Sequence, residues 1–194
     1  MRIILEGPDG SGKSTLAKKL RSAFGYPIHH FSYPKTKYEK ENLAKIYRKF
    51  LSEHDDVIID RMWYSTLVYG PIMRGKSEVT LAQSMSLEIE YKPLVIYCTG
   101  NPLLLWERCK KRGEDYVSDP NKFLQICERY DALMLEGTHV VPIYVFDTTK
   151  EEIDGKDTAG TEDAGHSILQ TLSSVDEESV QRKEQANRRT AKRV

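Results

Sequence analysis

The sequence predicts an α/β fold in which a five-stranded parallel sheet is covered by helices on both faces. Five short apolar runs have the length of buried strands, and they lie at residues 2–6, 28–33, 57–60, 94–98 and 142–146. Segments of helical length separate them, at residues 14–24, 38–51, 80–91, 102–112 and 120–135. In the last of these segments, apolar residues recur at the spacing of one helix face. Strands that alternate with helices form a parallel sheet whose ligands bind at the carboxyl ends of the strands.

The chain length and composition indicate one globular domain followed by a tail. With 194 residues, 39% of them hydrophobic, the chain is long enough to bury a core. We expect the domain to comprise residues 1–175, with Glu88 and Glu90 on a solvated helix face. Residues 176–194 are polar, end in a basic stretch and offer few core-forming side chains. We therefore expect a flexible tail there.

The charge balance, the cysteines and the apolar runs bear on where the protein works. Basic and acidic residues balance at 29 each, which excludes a chain that is basic over its whole surface. The three cysteines have no metal-binding spacing, so we expect reduced thiols. No signal peptide is expected, because Met1 and Arg2 run directly into an apolar strand. No apolar run approaches the roughly 18 residues of a membrane span. These features predict a cytoplasmic protein without a membrane partner.

A glycine-rich loop lies between the first apolar run and the first helical segment. Its sequence over residues 7–14, GPDGSGKS, matches the phosphate-loop pattern G-x-x-x-x-G-K-[ST] at every fixed position. In this setting backbone N–H groups and a helix N-terminus surround phosphate oxygens, so we predict the P-loop NTPase fold with ATP bound here. Lys13 should reach the β- and γ-phosphates, and the Ser14 hydroxyl should bind Mg²⁺. The predicted nucleotide-binding residues are Gly7, Pro8, Asp9, Gly10, Ser11, Gly12, Lys13, Ser14 and Thr15.

The third apolar run ends in a carboxylate. Asp60 closes this run, as in the Walker B pattern, and it can hold Mg²⁺ beside Ser14. Arg61 follows at once and places a fixed cation where phosphates are exchanged. Taken in isolation, the same residues fit an ordinary strand end with a surface arginine. Together with the phosphate loop and Lys13, they indicate that Asp60 and Arg61 act in catalysis, with Asp60 as a metal ligand.

Basic residues end the fourth helical segment just before Gly113. Arg108 and Arg112 are four positions apart and therefore share a helix face. In phosphoryl transfer such cations neutralise charge on the γ-phosphate, and Gly113 would be the hinge of a lid at about residues 108–119. The alternative is a solvated basic face that ends at a glycine cap. The upstream motifs favour the lid, with Arg112 and then Arg108 as catalytic residues.

Taken together, these motifs resemble the thymidylate kinases. Residues 6–15, EGPDGSGKST, resemble the E-G-x-D-G-x-G-K-S-T segment of that family. Residues 60–69 have the spacing of its D-R-x-x-x-S-x-x-x-Y segment. Residues 107–116 correspond to its lid, and residues 129–133 to an R-Y-x-x-L-like stretch. The resemblance covers roughly residues 1–147.

The resemblance implies roles for individual residues. The acceptor site would be formed by Phe31, Tyr33, Arg61, Ser65 and Tyr69. Arg61 would grip the acceptor phosphate, Ser65 would touch the base edge, and Tyr69 would pack under the deoxyribose and disfavour a 2′-hydroxyl. Phe31 or Tyr33 would stack on the base. Asp9 would lie near the transferring phosphate or its metal and take part in catalysis.

Two departures from the family pattern concern the acceptor. Gly70 stands where the family usually has a glutamine that contacts the base. The stretch between Pro34 and Val57 is short and lacks the family's R-E-P-G-G or E-R-S-T element, which removes one arginine expected at the acceptor phosphate. The resemblance also implies a homodimer, formed through the helices beside the third strand.

The leading interpretation is an ATP- and Mg²⁺-dependent kinase of deoxynucleoside monophosphates, which needs no general base because the acceptor is already an anion. The second interpretation has a hydroxyl acceptor, with Asp9 or Asp60 as general base. This acceptor would be a deoxynucleoside or a modified base in DNA, as for the hydroxymethyl-pyrimidine DNA kinases of some bacteriophages. DNA would then be a partner, through the acceptor base or the basic tail, and a phage protein would work in the host cytoplasm. The third interpretation, a non-enzymatic nucleotide switch, gives no reason for the Asp60-Arg61 site or the lid cations.

Overall fold

The computed structural model of the chain describes residues 1–113 and 117–149. Part of the predicted lid, at residues 114–116, lies outside the described residues. So do the end of the predicted domain, at residues 150–175, and the predicted tail, at residues 176–194. None of the helices in the two described ranges combines the length and apolar composition needed to cross a membrane.

Five parallel strands form one sheet, as the sequence predicts. In chain order they are β1 (Arg2–Glu6), β2 (Ile28–His30), β3 (Val57–Asp60), β4 (Leu94–Thr99) and β5 (Ile143–Asp147). Across the sheet the order is β2-β3-β1-β4-β5. Because β1 lies at the centre, the loop that follows it opens between the ends of β3 and β4, where parallel sheets bind their ligands.

Helices fill the intervals between the strands. They are α1 (Lys13–Phe24), α2 (Lys37–Glu53), α3 (Trp63–Arg74), α4 (Leu81–Tyr91), α5 (Pro102–Lys111) and α6 (Pro120–Leu135). All except α3 were predicted from the sequence, with ends that differ by at most two residues. Thr36 and Thr80 explain two of the starts, because each begins a capping box in which side chain and backbone exchange hydrogen bonds with the residue three positions on.

Side chains of the central strands alternate between two apolar cores. Ile4 and Ile59 face the larger core, to which α2, α3, α4, α5 and α6 contribute side chains. Ile3 and Ile58 face the smaller core, where Leu16 and other residues of α1 pack against the sheet. Both faces of the sheet are therefore buried, which confirms the predicted α/β architecture.

The second strand is shorter than predicted. The sequence predicts a strand at residues 28–33, but the structure ends it at His30. His30 pairs with Asp60, which is the last residue of β3, and a final backbone hydrogen bond of 3.3 Å joins Phe31 N to the Asp60 carbonyl. Arg61 then takes a φ of 69° and leads the chain into α3. The second strand stops there because its partner strand has ended.

Helix α3 was not predicted from the sequence, and Pro71 lies inside it near its end. Proline has no N–H to donate to the carbonyl four residues earlier, which is that of Leu67. In the structure this carbonyl accepts a hydrogen bond from Arg129 Nε of α6, at 3.1 Å. A side chain from a neighbouring helix thus supplies the donor that the proline lacks, and the helix continues through Pro71 to Arg74.

Glu88 corrects a second expectation. Its side chain is buried, whereas Glu90 is exposed as predicted. The Tyr64 hydroxyl donates to one Glu88 carboxylate oxygen at 2.5 Å, and Val140 N donates to the other at 3.1 Å. Hydrogen bonds of this kind compensate a buried carboxylate for the water that it loses. Glu88 thus joins α3, α4 and the segment before β5.

Candidate active site

The phosphate loop connects β1 to α1 and is packed closely against its neighbours. Gly7 has a φ of +143° and Gly10 a φ of +80°. A Cβ atom would lie 2.0 Å from the Cys98 carbonyl oxygen at Gly7, and 2.4 Å from the Leu105 carbonyl oxygen at Gly10. Glycine is therefore required at both positions by sterics as well as by backbone conformation. The loop leads into the N-terminus of α1, which is the arrangement that binds phosphate.

Lys13 lies inside this loop. Its ammonium group donates to the carbonyl oxygens of Gly7, at 2.9 Å, and Pro8, at 2.6 Å. Burial, and then the positive charge of Arg61, lower the pKa of Lys13 to about 8. The ammonium is thus held at the loop carbonyls, in an environment that an anionic ligand would make more favourable.

Asp60 has the properties expected of a metal ligand. One carboxylate oxygen, Oδ2, lies 3.2 Å from His30 Nδ1. The other, Oδ1, is buried and has no hydrogen-bond partner in the described part of the chain. Burial alone would raise the pKa of Asp60, but the hydrogen bond from His30 and the charge of Lys13 hold it below its usual value. A buried, charged oxygen without a donor fits a cation, and Asp60 and the exposed Ser14 at the start of α1 would hold Mg²⁺.

Arg61 stands between the phosphate loop and α3. From Nη1 it donates to the Gly7 carbonyl oxygen at 3.0 Å and to Ser65 Oγ at 3.2 Å. From Nη2 it forms an ion pair with Asp9 and a 3.4 Å contact with the Tyr69 hydroxyl. Its positive φ, uncommon for a residue with a side chain, directs the guanidinium back over the loop.

Asp9 completes a group of three side chains with Arg61 and Tyr69. The Tyr69 hydroxyl donates to Asp9 Oδ2 at 2.9 Å. Burial would raise the pKa of Asp9, but the charges of Arg61 and Lys13 lower it below the usual range. The carboxylate is therefore ionised and tied to the cation beside it.

Glu6, the last residue of β1, lies next to this group of side chains. It was not among the site residues predicted from the sequence. It is fully buried and accepts hydrogen bonds from Met62 N at 2.7 Å, Ser65 Oγ at 2.6 Å and the Tyr130 hydroxyl at 3.3 Å. Burial raises the pKa of Glu6. The Ser65 hydroxyl, predicted to touch the base, is thus bound to Glu6. A carboxylate at a strand end, directly before Gly7, was the signal that would have revealed it.

A cavity of about 320 Å³ opens beside Arg61 and contains all five predicted acceptor residues. It is lined by Asp9, His30, Phe31, Ser32, Tyr33, Pro34, Tyr47, Arg61, Met62, Ser65, Thr66, Tyr69 and Arg74. The Phe31 ring packs edge-on against Tyr47, with centroids 4.9 Å apart. The Tyr33 ring has the guanidinium carbon of Arg74 at 4.1 Å from its centre. Arg74 was not among the predicted site residues.

A second cavity, of about 400 Å³, lies on the other side of the phosphate loop. Its lining includes Gly12, Thr15 and both predicted lid arginines. Arg108 Nη1 donates to Thr148 Oγ1 at 2.9 Å, and Nη2 donates to the Thr148 carbonyl oxygen at 3.0 Å. Arg112 is exposed, and its Nε donates to the Arg108 carbonyl oxygen at 3.3 Å. The structure thus brings Arg108 towards the loop and leaves Arg112 at the rim.

Comparison with known proteins identifies the family. No family model matches the chain. The SPbeta prophage-derived uncharacterized protein YorR of Bacillus subtilis (strain 168) is 37% identical, over 75% of this chain and 88% of that protein. The chain belongs to the YorR family. A crystal structure of YorR in complex with phosphorylated GDP superposes with a TM-score of 0.71 at 30% identity, covering 89% of this chain and 96% of that one.

This chain is also similar to two kinases. The thymidylate kinase of Leptospira borgpetersenii serovar Hardjo-bovis (strain L550) is 26% identical, over 58% of this chain and 70% of that enzyme. Deoxyadenosine kinase from M. mycoides, solved with dCMP and dCDP, has a TM-score of 0.57 at 19% identity, covering 90% of this chain and all of that one. The latter likeness concerns the fold alone. The thymidylate kinase resemblance is thus confirmed, and this member of the YorR family is a P-loop protein of the nucleotide and nucleoside kinase type.

Proposed function

We propose that this protein is an ATP- and Mg²⁺-dependent kinase that phosphorylates a deoxynucleoside monophosphate. The observation that carries the proposal is the position of Arg61, whose guanidinium contacts the Gly7 carbonyl in the phosphate loop and also lines the acceptor cavity. A cation at that boundary is suited to hold the phosphate that receives the γ-phosphoryl group of ATP. The kinase fold and the nucleotide-binding relatives support the same activity.

The residues at the boundary supply positioning and charge. Lys13 would bind the β- and γ-phosphates, Arg61 the acceptor phosphate, and Arg108 the γ-phosphate from the other cavity. Mg²⁺, held by Asp60 and Ser14, would neutralise phosphate oxygens. Phosphoryl transfer to an anionic acceptor requires little beyond such positioning and charge stabilisation.

The acceptor side of the proposal assigns the remaining residues. Tyr69, which is largely buried and bonded to Asp9, would lie under the deoxyribose. Phe31 would stack on the base, since its ring belongs to the aromatic wall of the cavity. Asp9 would hold Arg61 and Tyr69 in place until the acceptor phosphate arrives.

The alternative, a hydroxyl acceptor on a deoxynucleoside or on a base in DNA, needs a general base. Asp9 and Asp60 are the two candidates. In spite of burial, the pKa of Asp9 is lowered by the charges of Arg61 and Lys13, and that of Asp60 by the hydrogen bond from His30 and the charge of Lys13. A carboxylate with a lowered pKa is a weaker base for a hydroxyl proton. This electrostatic environment supports the monophosphate acceptor.

An acceptor panel tests the proposal. Labelled ATP is offered with four deoxynucleosides, their monophosphates, and duplex DNA that contains hydroxymethyl-pyrimidines. Label is expected in deoxynucleoside diphosphates. Label in DNA or in deoxynucleoside monophosphates would establish the alternative, and labelled phosphate alone would contradict both.

Two variants link the activity to the site. Lys13→Ala should abolish transfer to any acceptor, whereas Lys18→Ala, an exposed lysine on the same helix, should retain it. Arg61→Ala should raise the KM for the monophosphate more than the KM for ATP. An unchanged monophosphate KM would contradict the role given to Arg61.

Assembly and location complete the proposal. A cytoplasmic enzyme fits the three cysteines, which are buried and form no disulfide within the described residues. The family resemblance supports a homodimer. Light scattering during gel filtration would test this by measuring the molar mass of the protein in solution. The proposed contact between the basic end of the tail and DNA is measured by comparing the DNA affinity of the full chain with that of a chain ending at residue 175.

A further inference from the structure

We propose that Arg74, fixed by Glu78, reads the base of the acceptor and selects bases that present a keto oxygen, namely 6-oxopurines and 4-oxopyrimidines. The inference rests on the proposed function, because it assigns the far end of the same acceptor cavity. It differs from that function in predicting which monophosphates are used.

The first support is the way Arg74 is held. Its Nε donates to Glu78 Oε1 at 3.1 Å and its Nη2 donates to Oε2 at 3.0 Å, which is a bidentate pair. The Glu78 side chain is only 4% exposed. Burial would raise the pKa of Glu78, but the hydrogen bonds from Arg74 lower it. An ionised, buried partner fixes the guanidinium plane, and a fixed plane is what recognition of a flat base requires.

Tyr33 fixes the same guanidinium from another direction. The Arg74 guanidinium carbon lies 4.1 Å from the centre of the Tyr33 ring, and the Tyr33 hydroxyl donates to Glu78 Oε1 at 3.3 Å. Tyr33 and Arg74 both line the acceptor cavity. The three residues come from the segment after β2, the end of α3 and the loop after α3, so tertiary packing assembles them at the cavity wall.

Gly70 explains why this cluster exists here. A Cβ atom at Gly70 would lie 2.6 Å from the Lys76 carbonyl oxygen and 2.8 Å from Ser77 Cα, because the chain after α3 folds back across the helix at that point. The fold-back brings Glu78 beside Arg74. A glutamine at position 70, as in the thymidylate kinase pattern, does not fit under this crossing. Arg74 thus replaces a base contact that the crossing excludes.

The position of Arg74 along α3 places it at the base end of the cavity. Arg61, just before the helix, lies at the phosphate loop, and the 12 residues of α3 extend for about 18 Å. A nucleotide whose phosphate contacts Arg61 extends its base away from the loop. The second arginine of the cavity therefore meets the base rather than the phosphate.

The chemistry of the lining decides which bases fit. Among the lining residues, all within the described ranges, Asp9 is the one carboxylate, and it is bound to Arg61 at the phosphate end. No asparagine or glutamine belongs to that lining, and its other side-chain acceptors are the His30 imidazole and neutral serine, threonine and tyrosine hydroxyls. The exocyclic amino groups of adenine and cytosine donate hydrogen bonds and need an acceptor, whereas the keto groups of guanine and thymine accept them from arginine. A guanidinium at the base edge favours the keto bases.

Turnover and binding of four monophosphates test this inference in the full-length protein. For dGMP and dTMP, kcat/KM should exceed that for dAMP and dCMP by about tenfold or more, the value of a charged hydrogen bond. The double variant Arg74→Met/Glu78→Gln avoids leaving a buried charge and should lose this preference. The matched control, Arg48→Met/Glu90→Gln, removes an arginine–glutamate pair that does not line the cavity and should retain it. Binding is followed separately by calorimetry with each monophosphate.

Each outcome has a separate meaning. Equal use of all four monophosphates by the wild type overturns base reading and leaves the proposed function intact. A loss of similar size for all four in the double variant also overturns it, because it indicates a phosphate contact. Tight binding of dGMP or dTMP alone, without turnover, would support base reading and refute the proposed kinase activity. Binding of none of the four refutes both.

Discussion

Arg129 donates a hydrogen bond from Nε to the carbonyl oxygen of Leu67, 3.1 Å away. This carbonyl is the one that Pro71 leaves without its helical donor. The contact allows α3 to continue to Arg74, whose position at the end of the helix places it in the acceptor cavity. Arg129, which belongs to the R-Y-x-x-L-like stretch, thus has a structural role at a distance from the reacting groups.

The first prediction concerns this contact. Arg129→Met should lower the free energy of unfolding by about 1 kcal/mol, the net value of one hydrogen bond. The cost should shrink in a Pro71→Ala background, because alanine restores an N–H four residues after Leu67. Urea unfolding of the four proteins in this cycle measures the coupling, and equal costs in both backgrounds would show that Arg129 does not replace the missing donor.

The second prediction concerns pH. The pKa of Lys13 in the free protein is lowered to about 8. The phosphates of ATP would favour the charged form and raise this pKa, so ATP binding near pH 8 should take up protons, and affinity should fall as pH rises above that value. Calorimetry in buffers of different ionisation enthalpy measures the uptake. Lys13→Met should show none, and proton release by the wild type would contradict the assigned environment.

The third prediction tests the metal ligand. Asp60→Asn removes the charge at the buried oxygen that has no hydrogen-bond partner in the described ranges. Loss of an outer-shell partner alone costs 10- to 100-fold in metal affinity, so loss of this ligand should weaken divalent-ion binding by about tenfold or more. Electron paramagnetic resonance of Mn²⁺ with ATP measures the affinity. Asp55→Asn, on the exposed turn before β3, is the control and should bind Mn²⁺ as the wild type does.

The fourth prediction concerns Gly70. Gly70→Ala would place a Cβ atom 2.6 Å from the Lys76 carbonyl oxygen. The crossing must then move, which should destabilise the protein by about 1–3 kcal/mol, as for other overpacked sites. Thermal unfolding measures the loss. An unchanged melting temperature would show that the segment after α3 yields easily, and that Gly70 does not hold Glu78 in place.

The sequence predicted those parts of the site that are contiguous in the chain. The phosphate loop from Gly7 to Ser14 could be predicted because one strand, one turn and one helix start carry the whole motif. Asp60 and Arg61 followed from the end of an apolar strand. In each case a short segment fixes both the backbone and the chemistry, so no knowledge of distant neighbours was needed.

The parts that were missed depend on distant contacts. Glu88 was expected in solvent because its helix alone gives no sign of Tyr64 or of Val140, which are far away in the sequence. Helix α3 was missed, and its continuation past Pro71 involves Arg129, which is distant in the sequence. Arg74 and Glu78 carry no local signal for a site, and their relation to Tyr33 exists only after β2 and α3 have packed together.

By itself, the sequence determined the α/β fold, the glycine-rich loop and the strand ends that meet beside it, since hydrophobic periodicity and glycine conformation act over a few residues. Tertiary structure decided the binding of Ser65 by Glu6, the position of Arg108 against Thr148, and the cluster at the far end of the acceptor cavity. The physical reason is that burial and charge pairing depend on which surfaces meet, and these surfaces come from segments far apart in the chain.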